Sequence, residues 1–209
     1  MYLTEKAKIR HIKIEEELIE KLIFLAEGKP ILLDLAVDWR ARGISLDWVI
    51  DTDISLLKNL EDPEKKEWFS EFQQHLVNHV RDLKAPMDRL VLMMAHVYPL
   101  NVEMLKSIST SETDAQALFE EAKGYSFIKT LPDNSISLHV AMRDMVNEYV
   151  WPQIPAKDDR RKWYSEKSLK YFERAIDRLI GGIVVLKQTK QQRKDVDEPV
   201  ALTAFSEAK

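Results

Sequence analysis

Two histidines and a glutamate recur at four-residue steps and could offer three ligands to one metal ion: Glu71, His75 and His79. Four-residue spacing places side chains on one face of a helix. The His-Glu-x-x-His pattern of zinc hydrolases is absent, because Leu76 follows His75 and no general base is supplied. We interpret these residues as a solvated polar face beside an apolar stripe and predict no metal site.

Other groups capable of chemistry are scarce. The sequence has no cysteine, which excludes disulfides, thiolate metal sites and a thiol nucleophile. A P-loop requires Gly-x-x-x-x-Gly-Lys-Ser/Thr, but Gly28-Lys29 is followed by Pro30, and Ile23 stands at the first glycine position. No catalytic set follows from the spacing of the remaining residues. Without a phosphate cradle or a magnesium ligand after a strand, we predict that the isolated chain is not an enzyme and holds no cofactor.

Composition predicts a mainly helical, soluble and cytoplasmic protein. Of the 209 residues 45% are hydrophobic and 32% charged, and only five are glycine, which costs about 1 kcal/mol relative to alanine in a helix interior. The longest apolar run, Leu90–Ala95, is far shorter than the roughly 20 residues that span a bilayer. A net charge of −4 gives no general attraction to nucleic acid or anionic membranes.

Residues 1–82 are predicted to form a small, lid-like helical domain. Apolar residues at three- and four-residue steps predict a first helix over Ile14–Ala26. Pro30 suits the first turn of a second helix, which continues until Gly43. A third helix is predicted from Asp62, as N-cap, to about Asp82. The result is a helical bundle with a tight corner at Pro30.

Residues 83–152 are predicted to form a winged-helix domain. The predicted elements are a helix opened by Pro86, helices at Val102–Ile108 and Glu112–Lys123, and a hairpin wing within Phe127–Leu138. Ser111 is the predicted N-cap and Gly124 the predicted stop of the second short helix. One further helix is predicted from His139 to Val150 directly after the wing.

A C-terminal helical extension is predicted over residues 153–182. Its helix, from Trp163 to Ile180, has apolar residues at three- and four-residue steps, namely Leu169, Phe172, Ile176 and Leu179. Gly181 and Gly182 are predicted to end it. Residues 183–209 are expected to be a poorly ordered polar tail, in which acidic residues largely cancel the basic ones.

Two motifs resemble the NB-ARC and NACHT signal-transduction ATPases of the STAND class: Gly28-Lys29-Pro30 at the corner, and His139 directly after the wing. In that family a Gly-x-Pro proline lies against the adenine or ribose of the nucleotide. A histidine after the wing reaches the β-phosphate of ADP and holds the winged helix on the nucleotide domain. The resemblance implies these roles for Pro30 and His139. Lys29 stands where an apolar residue is usual, and Val140 replaces a common acidic residue.

Each of these two residues also has a plain structural interpretation. Pro30 is equally a helix-opening proline after a capping glycine, and His139 is equally a polar residue at a strand-to-helix junction. The resemblance covers roughly Ile14 to Val150.

The function implied by the resemblance is regulatory. The partner would be a P-loop domain of the same parent protein that holds ADP or ATP with magnesium, and a C-terminal repeat or sensor domain could follow. A DNA-binding winged helix and a protein-interaction scaffold are the alternatives. The would-be DNA-reading helix is acidic, with one lysine, Lys123, against Glu112, Asp114, Glu120 and Glu121, so we expect no DNA partner.

Overall fold

The computed structural model describes the backbone of residues 2–108 and 112–206 and the side chains of residues 2–106 and 114–183. Two compact units are distinguished, Met1–Glu166 and Lys167–Lys209. The chain is mainly helical, and the described residues contain one small antiparallel sheet, which confirms the predicted fold class at this level. None of the described helices combines the length and apolar character needed to cross a membrane.

Eleven α-helices lie in the described part of the chain: Tyr2–Ile9 (α1), Glu16–Leu25 (α2), Pro30–Ala41 (α3), Asp47–Ile50 (α4), Ile54–Asn59 (α5), Asp62–Asn78 (α6), Met87–Met94 (α7), Val102–Ile108 (α8), Glu112–Lys123 (α9), Val140–Met145 (α10) and Asp159–Ser206 (α11). The strands are Ile128–Thr130 (β1) and Ile136–Leu138 (β2). Short 3₁₀ segments cover His79–Asp82 and Trp151–Gln153, and a π-helical turn covers Val146–Val150.

The corner between α2 and α3 is built by two consecutive left-handed residues, Glu27 with φ 48° and Gly28 with φ 74°. Glycine adopts this conformation without the steric penalty of a Cβ. The backbone N–H of Lys29 donates to the carbonyl of Ala26 at 2.8 Å, and Pro30 then opens α3. The helix break and the helix-opening role predicted here are confirmed.

A buried carboxylate on α3 joins three parts of the first unit. Asp38 is fully buried and accepts hydrogen bonds at 2.7 Å from both the backbone N–H and the hydroxyl of Ser126. The guanidinium of Arg10 forms an ion pair with it at 2.9 Å. A buried charge is tolerated only when it is paired in this way. These contacts tie α1 and the segment before β1 to α3.

The neighbouring residue on α3 makes a second buried connection. Trp39 has no exposed surface, and its indole N–H donates to the carbonyl of Leu76 on α6 at 2.8 Å. Its ring packs against Phe127, with centroids 5.7 Å apart. One turn of α3 therefore contacts α6 and the start of the hairpin.

A central buried helix and a small sheet follow. Leu90–Ala95 is at most 4% exposed, so this apolar run lies in the core. β1 pairs with β2 in the register Ile128 opposite Leu138. Leu100, between α7 and α8, exchanges backbone hydrogen bonds of 2.7 and 2.8 Å with Ile136. Leu100 is thus an extended residue, outside the predicted hairpin, that pairs with β2.

Several helix ends differ from prediction. Asp62 is the first helical residue of α6, and Glu61 holds the N-cap position, because Pro63 at the second position still lies in the first turn. α-Helical bonding stops at Asn78, after which the 3₁₀ segment reaches Asp82. α9 ends immediately before Gly124, as predicted. The predicted cap at Ser111 lies outside the described residues.

The longest helix extends beyond both predicted ends. α11 begins at Asp159 rather than Trp163 and continues through Gly181 and Gly182 to Ser206, so the predicted end at the glycines is wrong. Glycine costs about 1 kcal/mol in a helix interior but has no steric barrier to helical dihedrals. The boundary between a lid-like domain and a winged helix near residue 82 stays a prediction.

The contacts of Asp38 predict a large effect of its removal. Asp38→Ala should lower the free energy of unfolding by roughly 2–4 kcal/mol, because Ser126 and Arg10 lose their acceptor. Urea unfolding followed by tryptophan fluorescence measures the change. Asp144→Ala removes an exposed carboxylate from α10 and should stay within about 0.5 kcal/mol. If Asp38→Ala lowers the free energy of unfolding no more than Asp144→Ala does, the contacts of Asp38 with Ser126 and Arg10 do not stabilise the fold.

Candidate functional site

The residues at the start of α3 form one side of the candidate site. Pro30 is exposed in the first turn, and Asp34, one turn later, lies on the same helix face. Asp34 accepts a hydrogen bond from the hydroxyl of Tyr2 at 2.7 Å and forms an ion pair with Lys6 at 3.2 Å. Two side chains of α1 therefore hold the Asp34 carboxylate beside Pro30.

The junction between β2 and α10 forms the other side. His139 stands at the N-cap position of α10, and its backbone N–H donates to the carbonyl of Phe127 at 2.9 Å. The imidazole is half-buried. Its Nδ1 is buried and has no hydrogen-bond partner among the described residues.

The electrostatics of His139 connect the two sides. Burial lowers the pKa of the imidazole below its ordinary value of 6.5, and the exposed ammonium of Lys129 on β1 lowers this pKa further. The carboxylate of Asp34 acts on the same imidazole in the opposite direction. The structure thus brings the helix that starts with Pro30 into electrostatic reach of His139.

The sign of this shift has a consequence for stability. Because the pKa of His139 is lower in the folded chain, protonation favours the unfolded state. The stabilisation that follows from the neutral imidazole is present above pH 6.5 and is lost as the pH falls through the lowered folded value. At neutral pH the residue is a neutral imidazole, which can donate from one ring nitrogen and accept at the other.

The three residues spaced as metal ligands do not converge. Nδ1 of His79 is 2.9 Å from the carboxylate of Asp82, whereas His75 packs edge-on against Trp48 with ring centroids 4.8 Å apart. Throughout the described residues, no group of three acidic or histidine side chains is arranged to hold a metal ion.

Sequence reasoning missed a cleft of about 470 Å³ in the first unit, lined by one tryptophan and several polar or charged residues. Its walls include Trp48, His75, Asn78, Arg81 and Arg160. Arg160 reaches it from the start of α11, where its guanidinium pairs with the buried Asp88 at 3.0 Å and donates to the carbonyl of Arg81 at 3.2 Å. Asp88 and Arg160 are 72 residues apart, so no local pattern could have revealed the pair.

A second cleft, of about 530 Å³, has aromatic walls and a basic rim. His96, Trp151 and Tyr164 form the aromatic part, with ring centroids 4.9–5.5 Å apart. Burial lowers the pKa of His96. These residues are far apart in the sequence, so no local pattern predicts that they are close in the fold.

Comparison of the chain with protein-family models, with curated proteins and with solved structures finds no match. The roles expected of Pro30 and His139 stay predictions from the two motifs.

The opposing charges around His139 predict opposite effects on its pKa. Lys129→Gln should raise the pKa because it removes a nearby cation, and Asp34→Asn should lower it because it removes a nearby anion. NMR titration of the imidazole C–H resonance, assigned with His139→Gln, measures both. The control Lys58→Gln removes an ammonium that lies over Phe24 instead and should change nothing. Shifts of the same sign in both variants would refute this arrangement.

Proposed function

We propose that this chain is the regulatory part of a STAND-class nucleotide-switch signalling protein. A small helical domain and a winged helix pack against a P-loop domain of the same parent protein, which holds ADP or ATP with magnesium in the cytoplasm. The observation that carries this proposal is the position of Asp34, which lies one turn after Pro30 and within electrostatic reach of His139. This supports a common location for the two residues singled out by the family motifs, because the helix that Pro30 opens carries a charge that acts on His139.

The order of elements in the second half supports the winged-helix assignment. α7, α8 and α9 precede the β1–β2 hairpin, and α10 follows it directly. The bridge between Leu100 and Ile136 anchors the segment between α7 and α8 to the same sheet. A compact arrangement of this kind holds the hairpin and His139 in a fixed relation to the buried α7.

The mechanism is differential binding of two states. In the closed state the imidazole of His139 donates a hydrogen bond to the β-phosphate of ADP, a contact that the open state lacks. A hydrogen bond to an ionised phosphate contributes about 1.5–3 kcal/mol. Pro30 packs against the base or ribose. Nucleotide exchange therefore shifts the equilibrium between the states by the difference in these contacts.

The charges of α9 weigh against a DNA-binding winged helix. Lys123 pairs with Glu120 at 2.9 Å, and Glu121 is exposed beside it. On the preceding helix, Lys106 pairs with Glu103 at 2.9 Å. Cations neutralised in this way give little attraction to phosphates. The protein-interaction scaffold is a compatible second function, and the exposed apolar face of α11 favours it.

The proposal predicts the effect of removing the imidazole in the intact parent protein. His139→Ala should shift the closed–open equilibrium by roughly tenfold or more, because only the closed state makes the phosphate contact. ADP dissociation should accelerate accordingly, and basal signalling should rise. Release of a fluorescent ADP analogue and a signalling assay without stimulus measure the two effects.

The matched control is His75→Ala, which removes an exposed imidazole on α6. It should leave ADP release unchanged. If His139→Ala behaves like this control, His139 has only a structural role. A parent sequence without a Walker motif would overturn the proposal as a whole.

A further inference from the structure

The second unit presents an apolar helix face to solvent. Within α11 six large apolar side chains are each 51–68% exposed, and these are Leu169, Phe172, Ile176, Leu179, Ile180 and Ile183. The residues between them include Lys170, Arg174, Asp177 and Arg178, so the opposite face is charged. A contiguous exposed apolar face with a polar rim is typical of a protein interface.

The spacing of this face is that of a coiled coil. Alternating steps of three and four residues connect Leu169, Phe172, Ile176, Leu179 and Ile183, and the sequence continues the pattern at Leu186. This is a heptad repeat over three heptads, with positions a at 169, 176 and 183 and positions d at 172, 179 and 186. The complementary surface for such a seam is another helix with the same repeat.

We propose that this face pairs in antiparallel orientation with the same face of a second copy of the chain. In such a pair each a residue packs against a d residue of the other helix. In the register of this seam, position 169 lies opposite the partner's position 186, position 172 opposite 183, and position 176 opposite 179. Two-fold symmetry repeats each contact, so the three pairs give six core layers from one stretch of sequence.

The residues beside the seam favour this orientation. Along the exposed part of the helix, positions g hold Ala175 and Gly182, and an antiparallel pair brings these two small residues together, which allows the helix axes to approach closely. Positions e hold Glu173, Ile180 and Lys187. In antiparallel helices the e positions of the two copies lie on the same side of the seam, so the acidic position 173 and the partner's basic position 187 are charge-complementary.

A parallel pair lacks this complementarity. It places e positions opposite g positions, so that Glu173 and Lys187 would each face a small uncharged residue. The antiparallel orientation is therefore the one that places opposite charges together at positions e while the apolar residues at positions a and d form the seam. This inference is independent of the nucleotide-switch proposal, since it depends only on α11.

Sedimentation equilibrium of the full chain across the micromolar range tests the self-association. We expect twice the monomer mass. Glu173→Lys should raise the dissociation constant roughly tenfold, because it creates two like-charge pairs, and Glu173→Lys with Lys187→Glu should restore it. Asp177→Lys makes the same charge change at an outer position and should leave the dissociation constant unchanged.

Disulfide trapping tests the orientation, because the chain has no cysteine of its own. Leu169→Cys mixed with Leu186→Cys should form a mixed disulfide dimer, whereas Leu169→Cys alone should form none, since its two copies would lie about 25 Å apart along the axis. Leu169→Cys mixed with the outer variant Arg174→Cys is the matched control. A disulfide dimer of Leu169→Cys alone indicates a parallel pair and overturns the proposal. A chain that stays monomeric, whether free or pelleting with phosphatidylcholine vesicles, also overturns it.

Discussion

The burial of one carboxylate constrains the first unit. Asp38 has no exposed surface, and removing a carboxylate from water costs several kcal/mol even after the protein relaxes. That cost is offset only when Arg10 and Ser126 are both in place, and Ser126 is 88 residues further along the chain. The N-terminal helices and the hairpin region must therefore be assembled together. Trp39 reinforces the same turn with an apolar contact to Phe127, so polar and apolar stabilisation coincide there.

Sequence patterns predicted an element well wherever the conformation of a few neighbouring residues determines it. The corner at Gly28 and Pro30, the end of α9 before Gly124 and the hairpin around β1 and β2 all follow from backbone preferences of a few residues. The continuation of α11 through Gly181 and Gly182 did not follow, because a glycine penalty of about 1 kcal/mol is small beside the sum over a long helix.

The candidate site was predictable only in part, for the same reason. Pro30 and His139 stand at junctions between elements, where sequence patterns are informative. The charged residues that act on His139 do not stand at such junctions. Asp34 acts on His139 from α3 through tertiary folding, whereas Lys129 acts on it from the neighbouring strand of the hairpin. The pairing of Arg160 with Asp88 likewise joins residues from different helices. Such pairs are set by packing across the fold and have no signature in a single sequence.

The α3 helix connects the protein surface with the core. Pro30 at its start is exposed, although Ile31 and Leu32 beside it are buried, whereas Asp38 lies fully buried about 12 Å further along the axis. The hydrogen bonds of one uninterrupted helix connect these two positions. A ligand that contacts Pro30 and the buried contact to Ser126 therefore share a single structural element.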